Sequence, residues 1–355
     1  MNPLMILIAI FAFGLLIFVH ELGHFLAAKK GGIQVNEFAM GMGPKLISFT
    51  RGETTYSLRA FPIGGFCAME GEDEESDEYN PRAFGNVKLR NRFVAMAAGS
   101  VMNLLLGFIL LTILTANMNL IATNQIARFH EDATSDAWLM EHDTITRING
   151  SRVRSANDIR YEFTRSRDGV LDIEVIREGE RVELTGVTFP MYEFEGVTVL
   201  VSDLIFFGVQ PTPLNVVQNA FNWTASVVRM VWGSLVDLVT GRFGFNQISG
   251  PIGLTVTIGE TVATGVERGG LREGALNLIF LVSVISINLG IFNLLPFPAL
   301  DGGRIIFLLI EGVRRKPVPA KYESAVNTVG FALLIGLIIV VTFNDIFRRI
   351  LGLGS

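Results

Sequence analysis

The run from about Leu4 to Ala28 is apolar enough to cross a bilayer, yet it carries His20, Glu21 and His24. Ionisable groups at membrane depth cost roughly 2.5–3.5 kcal/mol each on insertion scales, so their presence calls for a function. A helix advances 3.6 residues per turn, which stacks His20 and His24 on one face. Two imidazoles at that spacing can grip one metal ion, and Glu21 then stands beside the open coordination position as a general base. The plainer alternative is that the histidines hydrogen-bond to neighbouring helices while Glu21 snorkels toward water.

Half of the 355 residues are hydrophobic and 18% are charged, below the roughly 25% of a soluble domain. That composition fits several membrane spans joined to a modest water-soluble portion. A net charge of −5 argues against a nucleic-acid partner. The single cysteine, Cys67, excludes an intramolecular disulfide. Met1-Asn2-Pro3 has no positive charge, and the first apolar run is too long for a secretory leader, so this segment is expected to remain in the protein.

Lys29 and Lys30 follow the first span and mark its cytoplasmic end, which puts the N-terminus outside and the histidine pair in the cytoplasmic third of the bilayer. In residues 33–70, Gly41-Met42-Gly43-Pro44, Arg51-Gly52 and Ile63-Gly64-Gly65-Phe66 punctuate short runs, a pattern of β-hairpins with glycine turns. This region is apolar for a loop. A re-entrant or interface-lying sheet and a small cytoplasmic hairpin cap both fit it. The acidic run Glu70–Glu78 reads as a solvated loop. A basic cluster (Arg82, Lys88, Arg90, Arg92) precedes a second span, about Phe93–Met118, whose small residues Ala95 to Ser100 permit close helix packing. Asn103 in that span is expected to make a structural hydrogen bond.

From about Ile121 to Pro190 the composition is that of a soluble α+β module. Asp143–Ile148 alternates like a strand into an Asn149-Gly150 turn, a helix is predicted at Ala156–Arg165, and Glu178-Gly179 joins two further strands. One inward and one outward span precede it, so it lies outside. Leu214–Val239 is long enough for a span. A span there would turn Asp301 away from the histidines, so it is read as an amphipathic helix near the outer interface. The last spans are about Ala275–Leu295 and Val326–Phe343.

A catalytic zinc site needs three protein ligands and an open position. His130 and His142 fall in the outer module, so a carboxylate from another span is required. In Asn293-Leu294-Leu295-Pro296-Phe297-Pro298-Ala299-Leu300-Asp301-Gly302-Gly303 the prolines break the helix near the cytoplasmic face and Asp301 is the acidic residue at that depth. Alone, Asp301 reads equally as an N-cap. With the histidines at the same depth it reads as the third ligand. Asn293 could bond the substrate backbone or an oxyanion.

These paired motifs, with Gly41-x-Gly43-Pro44, Gly64-Gly65-Phe66 and Ser249-Gly250-Pro251-Ile252-Gly253, resemble the site-2 protease family of intramembrane zinc metalloproteases, in its bacterial branch that cleaves anti-sigma factors. The resemblance implies one Zn2+ per chain on His20, His24 and Asp301, with Glu21 as the catalytic acid/base. It implies a membrane-associated sheet at 33–70 that holds substrate, with Asn293, Gly41, Gly43, Gly64 and Gly65 as substrate-binding residues, and it makes the outer module a PDZ domain. The module has His142-Asp143 where the family often has Gly-Asp, and Ser135-Asp136 where it often has Pro-Ala. Its groove therefore either binds peptide ends or filters substrates by size.

The expected fold is a multi-span α-helical membrane protein with four transmembrane helices, a membrane-associated β-hairpin region and one inserted α+β, PDZ-like domain. The expected divisions are 1–30 (first span), 31–92 (hairpins and acidic loop), 93–118 (second span), 119–195 (PDZ domain), 196–272 (outer amphipathic region), 273–312 (third span with the aspartate motif) and 313–355 (fourth span). The protein is expected in the plasma membrane with the PDZ domain outside and the site near the cytoplasmic side. Implied partners are the lipid bilayer, single-span membrane protein substrates and an upstream site-1 protease that trims the same substrate. Two rivals are a membrane-anchored PDZ scaffold with an inactive metal site and a metal transporter. The intact Glu21 argues against the first, and the lack of an internal repeat argues against the second.

Overall fold

A computed structural model describes residues 3–72, 79–166, 168–194, 197–240 and 251–350. Two compact units emerge, one of residues 1–110 and 233–355 and the other of residues 111–232.

The first unit begins with α1 (Pro3–Gly31), which has Pro3 at its start, where the missing N–H costs nothing. It ends in a Schellman motif. Gly32 adopts φ +80°, Ile33 N donates to Ala28 O at 2.9 Å, and Gly32 N donates to Lys29 O at 3.2 Å. Both Ala28 and Ile33 are fully buried, so the stop also anchors the chain to the core.

Strands β1 (Val35–Arg51) and β2 (Thr54–Met69) follow and pair antiparallel. Each is bent at its glycines, so the pair makes four runs. Residues 45–51 pair with 54–59 in a hairpin through Gly52, while 35–40 pair with 65–69. The register from Glu37↔Thr55 to Met40↔Leu58, in which both numbers rise together, adds a further, locally parallel pairing. Residues 37–40 are thus the central run. Gly41, Gly43 and Gly64 take φ of +83°, +84° and +88°, conformations that the bends require. One face of this sheet, through Val35, Phe38, Cys67 and Met69, joins Ala28, Ile33, Ala95, Met96 and Leu308 in a buried cluster. Its outer hairpin instead exposes Leu46, Ile47, Phe49 and Phe61.

Helix α2 (Leu89–Ala116) packs closely on α1. A Cβ at Gly23 would lie 2.5 Å from Ala98 O. Small residues serve it again on its other side, where a Cβ at Gly107 would lie 2.4 Å from the Ile287 side chain.

The second unit holds β3 (Ile121–Phe129), β4 (Thr144–Ile148), β5 (Ser151–Arg152), α3 (Ala156–Arg165), β6 (Val170–Arg177), β7 (Glu180–Thr188), β8 (Met191–Phe194), β9 (Val197–Leu200) and β10 (Leu204–Val209). The main sheet runs β10-β3-β4-β6-β7, with β5 on β4, and β8 and β9 form a separate ribbon. Its core gathers Ile126, Leu139, Ile145, Ile148, Ile159, Phe163, Leu171, Ile173 and Val175. Asn149-Gly150 (φ +48°, +77°) and Glu178-Gly179 (φ +52°, +88°) make tight turns. Asp143, only 1% exposed, is held by Arg177 at 2.7 and 2.9 Å.

Helix α4 (Pro213–Val239) leads on toward α5 (Pro251–Asn293). Within the second unit, Arg229 of α4 bonds Asp158 of α3 at 2.7 Å. The α5 segment is a helical hairpin, because Gly269 and Gly270 (φ +73°) reverse the chain and Asn277 Nδ2 reaches back to Thr261 O at 3.0 Å. Helices α6 (Asp301–Arg314) and α7 (Ala320–Ile350) complete the first unit.

Among the described residues four helical stretches are long and apolar enough to cross a membrane: Leu7–Gly31, Leu89–Ala116, Thr257–Asn293 and Lys321–Phe343. Helix α4 is not among them. The loop expected at Ser249–Gly253 is helical from Pro251, and its first two residues lie outside the described residues, as does most of the acidic run, 73–78.

Candidate metal centre

The first-span histidines and the late aspartate converge. His20 Nε2 lies 3.1 Å from His24 Nε2, and Asp301 Oδ2 lies 3.2 Å from the first and 3.3 Å from the second. Both histidines are buried, at 8% and 5% exposure. A tetrahedral zinc with bonds of about 2.0–2.1 Å sets its ligand atoms about 3.3–3.4 Å apart, so this triangle matches one face of such a site.

The protons point the same way. His24 Nδ1 lies 2.8 Å from Ala95 O, so that nitrogen carries the hydrogen, and in the neutral ring a lone pair on Nε2 faces Asp301 Oδ2. Among the described residues, Asp301 Oδ2 is buried with no hydrogen-bond partner. Facing acceptor lone pairs at this distance need a cation between them. A borderline-soft divalent ion suits a donor set of two imidazoles and one carboxylate.

Local structure explains the placement. Helix α1 supplies the i, i+4 pair. Gly99 of α2 passes so close that a Cβ there would lie 2.3 Å from His24 Nε2 and 2.8 Å from His20 Cε1. Asp301 sits beyond the broken end of α5. Ala299 takes φ +71°, and its N donates to Asn327 Oδ1 at 3.4 Å. A Cβ at Gly302 would lie 2.0 Å from Leu295 O, and one at Gly303 would lie 2.5 Å from Phe297 O. The N-cap of α6 is Leu300, without a side-chain capping bond, so the alternative capping role of Asp301 is not what the structure shows. Two ion pairs pin α6, Arg92 with Glu311 (2.9 Å through Nη1) and Arg304 with Glu72.

Glu21 stands one residue from His20, and the Cys67 backbone N–H is within hydrogen-bonding reach of its carboxylate. Strand β2 comes this near because residue 65 is glycine, where a Cβ would lie 3.3 Å from Glu21 Cγ and 3.1 Å from Ile17. Asn293 Nδ2 is 3.4 Å from His20 Nε2. Of the glycines singled out, Gly65 touches the site. Gly41 and Gly43 pack against Phe61, and Gly64 packs against Met42. His130 and His142 belong to the other unit.

Sequence reasoning missed three contributors. Ala95 acts through its backbone, which leaves no signal in a residue type. Gly99 was visible only as one small residue in a packing stripe. Asn103 reads from the sequence as a general structural hydrogen bonder, whereas its amide lies 3.2 Å from His20 Nδ1.

The sequence profile described as Peptidase family M50 matches residues 8–337. The chain belongs to this family. Zinc metalloprotease RasP of Shouchella clausii is 31% identical over 435 residues, covering 98% of this chain and 99% of that protein. The regulator of sigma-W protease RasP of Bacillus subtilis is 30% identical over 96% of this chain and 98% of its own. A Clostridium perfringens protein named as a candidate zinc metalloprotease is 37% identical over 98% of this chain. This M50 chain is therefore a zinc metalloprotease, a hydrolase that cuts peptide bonds within or near membrane-spanning segments, and its apolar helices suit a multi-pass membrane protein.

Proposed function

We propose that His20, His24 and Asp301 hold the zinc and that Glu21 is the catalytic acid/base. The supporting observation is the near-equilateral donor triangle, assembled from residues 281 positions apart in the chain. Zinc, when bound, supplies Lewis acidity that acidifies a water molecule and polarises a peptide carbonyl. The Glu21 carboxylate takes the proton from that water and delivers it to the leaving amide nitrogen. The Cys67 N–H orients the carboxylate during both transfers. Asn293, beside His20, donates to the substrate backbone or to its developing oxyanion.

A substrate helix hides its scissile carbonyls in its own hydrogen bonds and must be unwound. The run 65–69 of β2 supports a receiving role, because its described pairing is on one edge only and Gly65 lies against Glu21. An extended substrate segment would add to the other edge. A photo-crosslinker at Phe66 is expected to capture substrate, and failure to do so at any occupancy removes the edge role.

The substrate we propose is a single-span membrane protein, an anti-sigma factor or a remnant signal peptide, whose outer part a site-1 protease has already trimmed. The name of the Bacillus subtilis relative supports the anti-sigma choice. Loop charges support a plasma-membrane enzyme with Lys29 and Lys30 on the cytoplasmic side and the second unit outside. That unit, with α3 between two parts of its sheet, is read as the single PDZ module, acting as a size filter. His142 supports this, since it occupies φ +71° where a glycine would be free and stacks on Phe207 at 5.3 Å.

The test is cleavage of a single-span substrate in detergent by wild type and Glu21→Gln, with zinc assayed in both. The variant should keep its zinc and lose about 10²–10⁴ in rate. Cleavage at the wild-type rate would refute the role of Glu21.

A further inference from the structure

Each ligand histidine has a second ring nitrogen, and where its hydrogen goes decides whether the first can bind metal. A neutral imidazole carries one N–H. For Nε2 to offer a lone pair, the hydrogen must sit on Nδ1, and a buried N–H needs an acceptor. For His24 that acceptor is Ala95 O at 2.8 Å. For His20 the group at Nδ1 is the side-chain amide of Asn103, 3.2 Å away and fully buried.

The amide can present either end. A half-turn about its last torsion exchanges nitrogen and oxygen without moving the rest of the residue. Asn103 Oδ1 has no partner among the described residues, so the exchange breaks no hydrogen bond that Oδ1 makes there. The residue's main chain is fixed, because Ser286 Oγ of α5 donates to the backbone carbonyl of Asn103 at 2.7 Å. The main chain of Asn103 is thus tied to α5 while its side-chain amide faces His20 of α1.

We infer that Asn103 is the positioning residue for His20. Its Oδ1 accepts the Nδ1–H, and this sets the tautomer and the ring plane that leave Nε2 free for zinc. The inference rests on His20 being a zinc ligand, as proposed above. Acceptors behind ligand histidines are typically worth about 10–100-fold in metal affinity. Asn103 touches neither substrate nor metal, so its effect should appear in binding as well as in rate.

The experiment measures zinc affinity by competition with a chromophoric chelator for the full-length protein in detergent. Wild type, Asn103→Leu, Asn103→Asp and His20→Ala are compared, together with thermal melting of the zinc-free proteins. Leucine fills the site without an acceptor, whereas aspartate accepts but cannot donate. The expected result is that N103L melts near wild type but holds zinc about 10–100-fold more weakly, while N103D stays within a few-fold of wild type. Should N103L fail to assemble, Asn103→Ala, which only removes atoms, is read the same way. Wild-type affinity in N103L overturns the inference, and so does N103D binding as weakly as N103L, since an acceptor is then not what His20 needs. H20A separates the two levels. If H20A also keeps its zinc, the ligand assignment fails. If H20A loses zinc while N103L does not, only the role of Asn103 fails.

Discussion

Gly99→Ala tests how tightly α2 closes over the metal centre. The added methyl would lie 2.3 Å from His24 Nε2 and 2.8 Å from His20 Cε1. Ordinary contact begins near 3.5 Å, so the rings or the helix must retreat by about 1 Å. The helix has little freedom to retreat, because a Cβ at neighbouring Gly23 would already lie 2.5 Å from Ala98 O. His24 is also tied by Nδ1 to Ala95 O. The imidazoles should therefore move, opening the donor triangle. Misplacement of about 1 Å costs on the order of 10²-fold in rate. We expect G99A to cleave a single-span substrate at about one-hundredth of the wild-type rate and to hold zinc more weakly. Gly14→Ala is the control, since a Cβ there meets nothing within 4 Å, and it should be neutral or slightly stabilising. If G99A retained wild-type rate and zinc affinity, the reasoning that α2 closes tightly on the site would be wrong.

Three further outcomes follow from the packing. Gly302→Ala would drive a Cβ to 2.0 Å from Leu295 O, a backbone atom, so it should abolish zinc retention, measured after gel filtration. Arg177→Met leaves the buried Asp143 without its ion partner and should destabilise the second unit by about 3–5 kcal/mol, read by urea unfolding. Glu53 accepts hydrogen bonds from Arg82 and Lys29, which lower its pKa to about 2. A depressed folded-state pKa contributes stability above the ordinary carboxylate pKa and loses it as pH falls through the folded value. Glu53→Gln should therefore melt slightly below wild type at neutral pH, with the gap closing as pH falls from about 4.5 toward 2, and a pH-independent gap would contradict that linkage.

Local rules made much of this legible in the sequence. Helix α3 runs over Ala156–Arg165, as its pattern predicts, and the Asn149-Gly150 and Glu178-Gly179 turns take the positive φ angles that their residues favour. The i, i+4 histidines needed only helical periodicity. What was hidden is non-local. Residues 37–40 pair on both edges, a register no hairpin pattern encodes. Strand β10 joins β3 across some 75 intervening residues. Gly269-Gly270 reverses a helix into a hairpin, although diglycine alone reads only as a break. The carbonyl on His24 belongs to an alanine, so no residue type announced it.

Asp301 follows His24 by 277 residues. A ribosome working at about 5–20 residues per second takes roughly 14–55 s to cover that interval. Throughout it the nascent chain holds the histidine pair, and the aspartate motif has yet to be made. Under the proposed ligand set, a newborn chain is harmless to its neighbours in the membrane until Asp301 has been translated, and the last residue to join the site also arms it.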